Sequence, residues 1–517
     1  MKAMRTLALT TTAITALFAA QTGSAHALTL TQVLRHESGI FDKSAAEIVA
    51  FDAGSKRFYV VDGAAPSIEV LQLGDGTSAA DATWSEAGTL ALTADESPTS
   101  VAVHNGVIAA AVHGSKDQGR PGKVIFFDGA GARLAEVAVG SLPDMVTFTP
   151  DGKYVLTANE GEPTDAADPD GSVSIIDISG GVKDAKAVTV GFESLDAETM
   201  RKAGVRVFPG KAPKEDFEPE YIAVSPDSQM AWVALQEANA FARIDIPGGA
   251  LIDVVALGTK DHSQPGNGMD PNDKDSAVNI APVPVRGLYM PDSIAAVEIG
   301  GKTYVVSANE GDARKEDERV EKANIDDKAL SADEKKHLAR LKISTIDGDT
   351  DGDGDIDVLH SYGARSFSIW NADGSLLWDS GDQIETITAD RLGQKFNTSN
   401  DDNKYEGRSD DKGPEPEAID VGVIDGKTYA FVGLERVGGV MMFNITNPEK
   451  PVFVGYENNR DFAGSLDFSL PSDLKVAGDL GPESVKFISA DNNPYGVPLL
   501  AVASEVSGTV TVYTITP

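Results

Sequence analysis

Glu220-Tyr-Ile-Ala-Val224 is one of seven short stretches that repeat along this chain of 517 residues. Each stretch begins with an acidic or small polar residue, has Ile or Val as its third residue, and continues as a predicted strand. The copies begin at Glu47 (with a slip of one residue), Thr99, Asp144, Glu220, Asp292, Glu417 and Glu483. A second apolar run follows every copy, and turns of Gly, Asp, Asn and Pro separate the runs, as in antiparallel sheets. This repeat predicts an all-β fold, a seven-bladed β-propeller.

The fifth repeat is interrupted, so six or eight blades are the alternatives. Residues 311–360 are predicted to form a small helical, acidic insert in blade 5, with a charged helix at 326–341. A second polar excursion covers residues 391–414, ahead of the sixth copy. Loops of this length in a compact fold are usually functional or disordered.

The two ends of the chain predict export and closure of the ring. Residues 1–27 have the basic start, apolar run and Ala25-His26-Ala27 cleavage site of a secretory signal peptide, and residues 28–517 form the propeller domain. We expect a periplasmic or secreted protein with no transmembrane anchor, since no later stretch reaches the roughly 18 apolar residues of a membrane span. Leu28 to His36 are predicted to pair with Thr509 to Ile515 and complete the last sheet.

The composition excludes several classes of function. Cysteine is absent, which excludes disulfides and thiolate metal sites. The formal charge is −36, and the mature chain is nearer −38 because the signal peptide carries two basic residues and no acids (−36 minus 2). Nucleic acid and anionic membranes are therefore poor partners. An anionic substrate needs bound cations to reverse the local sign, although an acidic excess can also serve solubility alone.

Propeller geometry predicts that the acids of the repeat share one face. The start of each first strand and the end of the second emerge at the same rim. The inner ring is Glu47, Asp144, Glu220, Asp292, Glu417 and Glu483, and the companion ring is Asp62, Glu160, Glu237, Glu310, Glu435 and Glu505. Asn159 and Asn309, in two copies of Ala-Asn-Glu-Gly, add neutral oxygens. So many carboxylates at one mouth predict calcium, which takes 6 to 8 oxygen ligands; the alternative is that individual acids cap strands.

An Asp-rich loop lies within the predicted insert. Residues 347–357 alternate Asp with Gly, as calcium-binding loops do, although the usual Glu at the twelfth position is missing. The expected ligands are Asp347, Asp349, Asp351 and Asp353. The alternative is a solvated acidic loop.

Basic residues near the acids are candidates for phosphate capture. They are Arg314, Arg365, Arg408 and Arg436. Arginine beside carboxylates serves bidentate phosphate binding and structural ion pairs equally well. No Gly-x-Ser-x-Gly elbow is present, and His113 is the one histidine at a ring position. Metal-activated water is therefore the expected nucleophile if the protein is an enzyme.

Several longer motifs resemble the choice-of-anchor I family of exported bacterial propeller proteins. They are Tyr362-Gly-Ala-Arg-Ser-Phe-Ser-Ile-Trp370, Asp379-Ser-Gly-Asp-Gln-Ile-Glu385, Lys412-Gly-Pro-Glu-Pro-Glu417, Phe431-Val-Gly-Leu-Glu-Arg436 and Ala503-Ser-Glu-Val-Ser-Gly508. The resemblance covers nearly the whole mature chain. The resemblance implies similarity to atypical alkaline phosphatases and to calcium-dependent phytases, which use a propeller in a similar way. This implication rests on association, because propellers host many functions.

Together these features predict an exported, calcium-dependent phosphohydrolase that acts on small phosphate esters, with a monomer expected. The alternative is a calcium-stabilised extracellular or periplasmic binding module without chemistry. A lactonase-like hydrolase is a third possibility, which needs a general base such as His113 near the metal.

Overall fold

The computed structural model describes residues 27–65, 67–114, 119–164, 167–462 and 470–517. The predicted signal peptide lies, except for Ala27, outside the described residues. The described chain is all-β, as predicted, with only short helices. Among the described residues, no helix has the length and apolar character needed to cross a membrane.

Seven sheets with four antiparallel strands each contain most of the strands of the described chain. The first strand, β1 (Thr29–Glu37), belongs to the last sheet. The next four sheets are β2 to β5 (Val49–Asp52, Arg57–Asp62, Ser67–Leu73, Trp84–Ala91), β6 to β9 (Glu96–His104, Val107–Gly114, Pro121–Asp128, Arg133–Ser141), β10 to β13 (Pro143–Phe148, Tyr154–Asn159, Ser172–Asp177, Lys186–Gly191) and β14 to β17 (Pro219–Val224, Met230–Leu235, Ala240–Asp245, Ala250–Ala256).

The remaining strands complete three four-stranded sheets and two small ones. In chain order they are β18 (Thr259–Asp261), β19 (Val285–Leu288), β20 (Ile294–Ile299), β21 (Lys302–Asn309), β22 (Asp317–Arg319), β23 (Lys342–Ser344), β24 (Leu359–Ser361), β25 (Ser366–Asn371), β26 (Leu376–Asp379), β27 (Pro416–Ile424), β28 (Lys427–Leu434), β29 (Val440–Asn444), β30 (Val452–Glu457), β31 (Pro482–Ile488), β32 (Leu499–Ser504) and β33 (Thr509–Thr516). The four-stranded sheets are β20-β21-β25-β26, β27-β28-β29-β30 and β31-β32-β33-β1, and the small sheets are β18-β19-β24 and β22-β23.

The first strands of the four-stranded sheets form a closed cycle. The strands β2, β6, β10, β14, β20, β27 and β31 each contact the next, and β31 contacts β2. Serine hydroxyls fasten three of these contacts. The backbone N–H groups of Val146 and Val49 donate to Ser100 and Ser484 on the preceding inner strand, and that of Ile419 donates to Ser293, directly before β20. All seven inner strands line one cavity of about 360 Å³, which is the channel of the ring.

The predicted closure of the ring is confirmed. Strand β1 pairs antiparallel with β33, with Thr29 opposite Thr516 and Glu37 opposite Thr509. The N-terminal part of the domain therefore supplies the outermost strand of the sheet that ends the chain. Leu28 and Leu30 are buried against the neighbouring sheet around Phe431, so closure is stabilised by hydrogen bonds and by apolar burial.

The core lies between neighbouring sheets, which explains the composition of the strands. Second strands are covered on both faces, and Val155, Leu156 and Ala158 of β11 are all fully buried. Outermost strands alternate, and Val188 of β13 is exposed. The continuous apolar runs in the sequence are thus the second and third strands of each sheet.

The interruption of the fifth repeat folds against a second loop. The segment between β21 and β25 carries β22, β23, β24 and one helix, α3 (Ala332–His337). This helix is shorter than the predicted 326–341, because Leu338 and Leu341 leave the helix and pack into a core with Val285 and Ile343. Ser331 and Glu334 form a capping box at its start.

Other helices are short, and none of them was predicted. They are α1 (Ala197–Lys202), α2 (Pro213–Asp216), α4 (Gln383–Leu392) and α5 (Pro471–Leu474), with 3-10 turns at Ala79–Asp81, Val182–Asp184, Gly393–Lys395 and Ala490–Asn492. Helix α4 escapes a periodicity search because its buried side chains include Glu385 and Thr388 beside Ile384.

Candidate metal centre

Proline and a β-bulge place the repeated acids. A proline precedes six of the seven copies, and the pairing register of five inner strands shifts at that proline. Proline lacks an N–H to donate to the ladder, so a bulge tolerates it, and the bulge re-aims the next side chain. Leu142, Met290 and Glu415, each directly before such a proline, have positive φ angles of 45°, 41° and 50°. The proline was not used in the sequence prediction, although it marks six of the seven copies, as many as the acid does.

Eight carboxylates line one cavity of about 230 Å³ at the mouth of the channel. They are Glu47, Asp144, Glu160, Glu220, Asp292, Glu310, Glu417 and Glu483. The whole predicted inner ring is among them, with two members of the companion ring. Ile48, Met145 and Tyr221 line both this cavity and the channel below it, so they form the floor between the two.

Burial raises the pKa of seven carboxyls of this cavity, and mutual repulsion adds to the effect. The pKa of Glu47 rises to about 8, that of Asp144 to about 7 and that of Asp292 to about 6. The same cause, burial first and neighbouring acids second, raises the pKa values of Glu160, Glu220, Glu417 and Glu483 well above the ordinary range. Among the described residues, Glu310 is the one cavity carboxylate in an ion pair. The cavity is therefore short of positive charge.

Three of the eight converge. One carboxylate oxygen each from Asp292, Glu417 and Glu483 lies within 4.8 Å of the others. Glu417 is buried, and its Oε2 has no hydrogen-bond partner among the described residues. Buried acceptors are normally paired, so this oxygen marks a position for a cation. Carboxylate oxygens are the ligands of calcium and other hard divalent ions.

A second group, beside the cavity, is already neutralised. Glu310, Glu415 and Glu435 also place oxygens within 4.8 Å of one another. Lys412 Nζ is 2.9 Å from Glu415 Oε2 and also pairs with Glu310, while Arg436 is 3.1 Å from both Glu415 and Glu435. Burial opposes ionisation of Glu415, but Lys412, Arg408 and Arg436 outweigh it and hold its pKa below the ordinary value. Sequence reasoning missed Glu415, whose signal is the repeated Pro-Glu-Pro-Glu.

Arg314 lies in a third acidic group. Its guanidinium is 2.8 Å from Glu218, 3.0 Å from Asp216 and 3.2 Å from Glu237. Glu237, predicted as a metal ligand, faces Arg314 and interacts with Glu220 through space. Glu218 was not predicted; burial and the neighbouring Glu237 raise its pKa to about 9.

The other ring positions have local partners. Glu505 accepts a hydrogen bond from Ser44 at 3.1 Å, and burial raises its pKa. Asp62 accepts from the backbone N–H groups of Ala64 and Ala65, which is the capping alternative. The Nδ1 of His113 lies 3.1 Å from the carbonyl of Gly114, and His113 does not line the acidic cavity.

The two asparagines have hydrogen-bond partners within the sheets at both ends of their amides, and their role as metal ligands stays a prediction. Asn159 Oδ1 accepts from Thr157, and its amide donates to Ser172 and Ser174. Asn309 repeats this arrangement, accepting from Ser307 and donating to the serines at 366 and 368. Both amides are fully buried and fasten second strands to third strands.

Arg365 and Arg408 serve structural contacts. Arg365 is buried, and its guanidinium donates to Glu385 and to the carbonyls of Asp270, Ser409 and Asp411. The predicted catalytic role of Arg365 is therefore corrected, since its donors are directed into the protein. Arg408 donates to Glu415 at 2.9 Å and lies 3.2 Å from Asp411.

The Asp-rich loop brings together three of its four predicted ligands. Asp349, Asp351 and Asp353 are exposed and place oxygens within 4.8 Å of one another. Asp347 is separate, because it pairs with Arg206 at 2.7 Å and accepts from Ser344. A further group joins Asp355 and Asp357 to Asp326.

Residues 47–448 match the choice-of-anchor I domain. Gigasin-3a of Magallana gigas is 30% identical over 184 residues, which are 34% of this chain and 64% of that protein. The mesenchyme-specific cell surface glycoprotein of Strongylocentrotus purpuratus is 26% identical over 273 residues, which are 44% of this chain and 35% of that protein. The matches thus span less than two thirds of the length of either curated relative.

Solved structures with a similar overall arrangement are distant in sequence. Hydrazine synthase of Kuenenia stuttgartiensis aligns over 91% of this chain and 96% of its own, with a TM-score of 0.44 and 14% identity. The β-propeller domain of Cps50 (Swd1) from Myceliophteria thermophila aligns over 94% and 100%, with a TM-score of 0.45 and 9% identity. Streptogramin B lyase aligns over 95% and 98%, with a TM-score of 0.45 and 10% identity. These likenesses concern shape and carry no argument about function.

Proposed function

The chain belongs to the choice-of-anchor I domain family, and we propose that it is an exported, calcium-dependent hydrolase of phosphate esters built on a seven-bladed propeller. Membership of this family fits a surface or exported protein. The seven four-stranded sheets and the closed cycle of their first strands support the blade count.

One observation carries the proposal: the convergence of Asp292, Glu417 and Glu483 around an unpartnered, buried Glu417 oxygen. A divalent ion there would satisfy that oxygen and relieve the repulsion among the carboxylates. Calcium fits better than zinc or iron, because the group contains no nitrogen or sulfur ligand.

The carboxylates alone would repel a phosphate ester, and the bound ion would reverse that sign. The ion would also supply the activation of water that this site otherwise lacks, since the cavity contains no histidine or lysine among its lining residues. The chain's own contribution is to hold the ion and exclude bulk water from below. Ile48, Met145 and Tyr221 do the latter, as the floor of the cavity.

Arginines next to the cavity would orient the ester. Arg436 has 27% of its side chain exposed, so part of its guanidinium reaches solvent while Glu415 and Glu435 hold the rest. Arg314 is similarly held by Glu218 and Glu237, with 15% exposed. Held in this way, the guanidinium groups lose little entropy on binding an oxyanion.

The same ion pairs favour a second candidate function, a calcium-stabilised binding module without chemistry. Arg314, Arg408 and Arg436 all have carboxylate partners within 3.2 Å, so none depends on a substrate for its charge balance. One curated relative is described as a cell surface glycoprotein, and a display or adhesion role at a surface would need only the structural ion.

An assay of the purified mature chain separates the two functions. The substrates are 4-nitrophenyl phosphate and bis(4-nitrophenyl) phosphate, measured with calcium and after chelation. Glu417→Gln is the test variant, and Glu298→Gln, at an exposed position of the inner strand β20, is the matched control. Calcium-dependent turnover that E417Q loses and E298Q keeps supports the hydrolase. A calcium-dependent rise in melting temperature without turnover supports the binding module, and neither effect would refute both.

A further inference from the structure

The segment after α4 is polar in sequence but buried in the fold. Asn397 is 0% exposed and Glu406 is 1% exposed, although both belong to a stretch that reads as a surface loop. This segment packs against the loop that follows β18, where Asp270 is 0% exposed. The two loops lie outside the carboxylate cavity, and none of these three residues lines it.

Two buried oxygens in this region have no hydrogen-bond partner among the residues that the structure describes. They are Glu406 Oε1 and Asn397 Oδ1. The Asn397 amide donates to Glu385 Oε1 at 2.8 Å and to Ser409 Oγ at 3.0 Å, so its oxygen is directed away from both. The backbone N–H of Glu406 donates to the carbonyl of Phe396, the residue before Asn397, at 3.0 Å. The two unpartnered side chains are therefore on adjoining pieces of backbone.

Asp270 approaches from the other loop. Its backbone N–H lies 3.4 Å from Glu385 Oε2, and Asn397 contacts the other oxygen of Glu385. Each Asp270 carboxylate oxygen accepts one backbone hydrogen bond, from Asn272 or Asn279. A carboxylate oxygen has a second lone pair, so both can still coordinate an ion.

Arg365 brings positive charge close to this position, but it donates to the backbone carbonyl of Asp270 and to Glu385 and not to the carboxylates of Asp270 or Glu406. Within the described ranges, neither Asp270 nor Glu406 forms an ion pair, whereas the nearby Asp273 pairs with Arg340 and Lys274. Burial, followed by mutual repulsion among these acids, raises the pKa of Glu406 to about 7, and burial raises that of Asp270 to about 6. Two uncompensated buried carboxyls and an orphaned amide oxygen are an unusual combination, because buried polar groups are normally satisfied.

We propose that Asp270, Asn397 and Glu406 bind a divalent cation of the calcium type, at a site separate from the carboxylate cavity. The donor set is entirely oxygen, two carboxylates and one amide, which is the set that calcium takes in proteins. The ion joins the loop after β18 to the loop after α4. The second loop continues directly into Arg408 and Lys412. This ion therefore also holds in place the start of the segment that supplies two of the cations around Glu415.

Terbium luminescence tests this site in the full mature chain. Tyr405 is the residue directly before Glu406, so Tyr405 is the sensitiser for a Tb³⁺ ion bound at Glu406. We expect Tyr-sensitised Tb³⁺ emission that calcium displaces. Tyr405→Phe should lose that component while the number of bound calcium ions stays the same. Glu406→Gln should lose the component and one equivalent of calcium by equilibrium dialysis.

Glu457→Gln is the matched control, because Glu457 is a part-buried carboxyl whose pKa is raised by burial alone. Asp270→Asn provides a second removal of charge if E406Q folds poorly, and circular dichroism verifies each fold. Loss of one calcium equivalent in E406Q or D270N, with E457Q unchanged, supports the site whether or not E417Q loses a separate equivalent. An unchanged count in folded E406Q and D270N overturns the proposal.

Discussion

Glu415 and Glu417 are separated by a single proline, yet their carboxylates have opposite surroundings. Glu415 accepts from Arg408 and Arg436 and is 2.9 Å from Lys412, so three cations share it. Glu417 has no ion-pair partner in the part of the chain that the structure describes, and there it retains a buried oxygen without a hydrogen-bond partner. Burial would raise the pKa of both carboxyls, but three basic groups outweigh it at Glu415 and lower its pKa, while neighbouring acids add to it at Glu417 and raise the pKa further. The chain has satisfied one of the two carboxylates internally and left the other for a ligand.

Replacing Glu417 with Gln should weaken calcium binding without harming the metal-free fold. The substitution removes the negative charge that Glu417 places beside Asp292 and Glu483. Repulsion among these side chains falls, so the metal-free protein should melt at the same temperature or slightly higher. The rise in melting temperature that calcium causes should shrink, since bound ligand stabilises the native state in proportion to occupancy. Differential scanning fluorimetry with and without calcium measures both effects.

E298Q, at an exposed position of the inner strand β20, serves as the control and should retain the full calcium response. A full calcium response in folded E417Q would show that Glu417 is not a ligand.

Replacing Glu415 with Gln should have the opposite effect: it should lower the stability of the protein whether or not calcium is present. It leaves Lys412, Arg408 and Arg436 buried or half-buried without their shared anion, and breaking a buried pair costs about 3–5 kcal/mol. Urea unfolding should show this loss with calcium present or absent. Glu449→Gln, at an exposed turn, should change the free energy of unfolding by less than about 0.5 kcal/mol. If E415Q is as stable as the parent, the three cations do not depend on Glu415.

The stability of the metal-free protein should fall as pH rises. The folded pKa values of Glu47, Asp144 and Asp292, at about 8, 7 and 6, lie above ordinary values of 4.5 for Glu and 3.8 for Asp. A carboxyl whose pKa is raised in the folded state keeps its proton more easily there than in the unfolded state. Its contribution to the free energy of unfolding is therefore complete below the ordinary pKa and is lost as the pH rises through the folded pKa. The window is therefore about pH 4.5 to 8, and each pKa unit corresponds to about 1.4 kcal/mol.

Calcium should flatten or invert this profile, because it binds the ionised carboxylates and releases their protons. Melting temperatures from pH 5 to 8, with chelator and with calcium, measure the two curves. A metal-free protein that becomes more stable toward pH 8 would contradict the assigned pKa shifts.

How far the sequence could predict this site depends on how far apart along the chain the interacting residues lie. The position of Glu220 or Glu483 follows from strand order alone, since every first strand starts at the same rim, and the cavity confirms that geometry. The role of Asn159 does not follow, because its partners Ser172 and Ser174 lie on the next strand and are revealed only by the register. Arg365 was misjudged for the same reason: its acceptors come from three separate segments.

Lys412 and Glu415 show a different limit. Both stand in a quoted sequence motif, but the motif does not say which carboxylate faces the cations and which faces the cavity. That choice depends on the positive φ of Glu415, 50°, which turns the chain between two prolines. Backbone conformations of this kind are rare for non-glycine residues before proline and depend on the surrounding fold.

Arg365→Lys should destabilise the protein while leaving any turnover per folded molecule unchanged. Lysine keeps the charge beside Glu385 but cannot reach the carbonyls of Asp270, Ser409 and Asp411 with a fork of donors. A loss of about 3 kcal/mol in urea unfolding is expected for this buried group. Arg436→Lys is the paired variant: it should mainly raise the KM for a phosphate ester if the hydrolase proposal is correct. A selective loss of kcat in R365K at full stability would restore the catalytic role that its contacts argue against.

Asp347 and Asp351 should respond to substitution in opposite ways, although they are four residues apart. Asp351 is exposed and converges with Asp349 and Asp353, so Asp351→Asn should abolish calcium protection of the loop from an Asp-specific protease, with little change in the metal-free melting temperature. Asp347 pairs with the buried Arg206, so Asp347→Asn should cost about 2 kcal/mol of stability and keep the calcium protection. Limited proteolysis with and without calcium, beside urea unfolding, separates the two effects. Equal calcium protection in the parent and in D351N would mean that the loop is a solvated acidic segment and not an ion site.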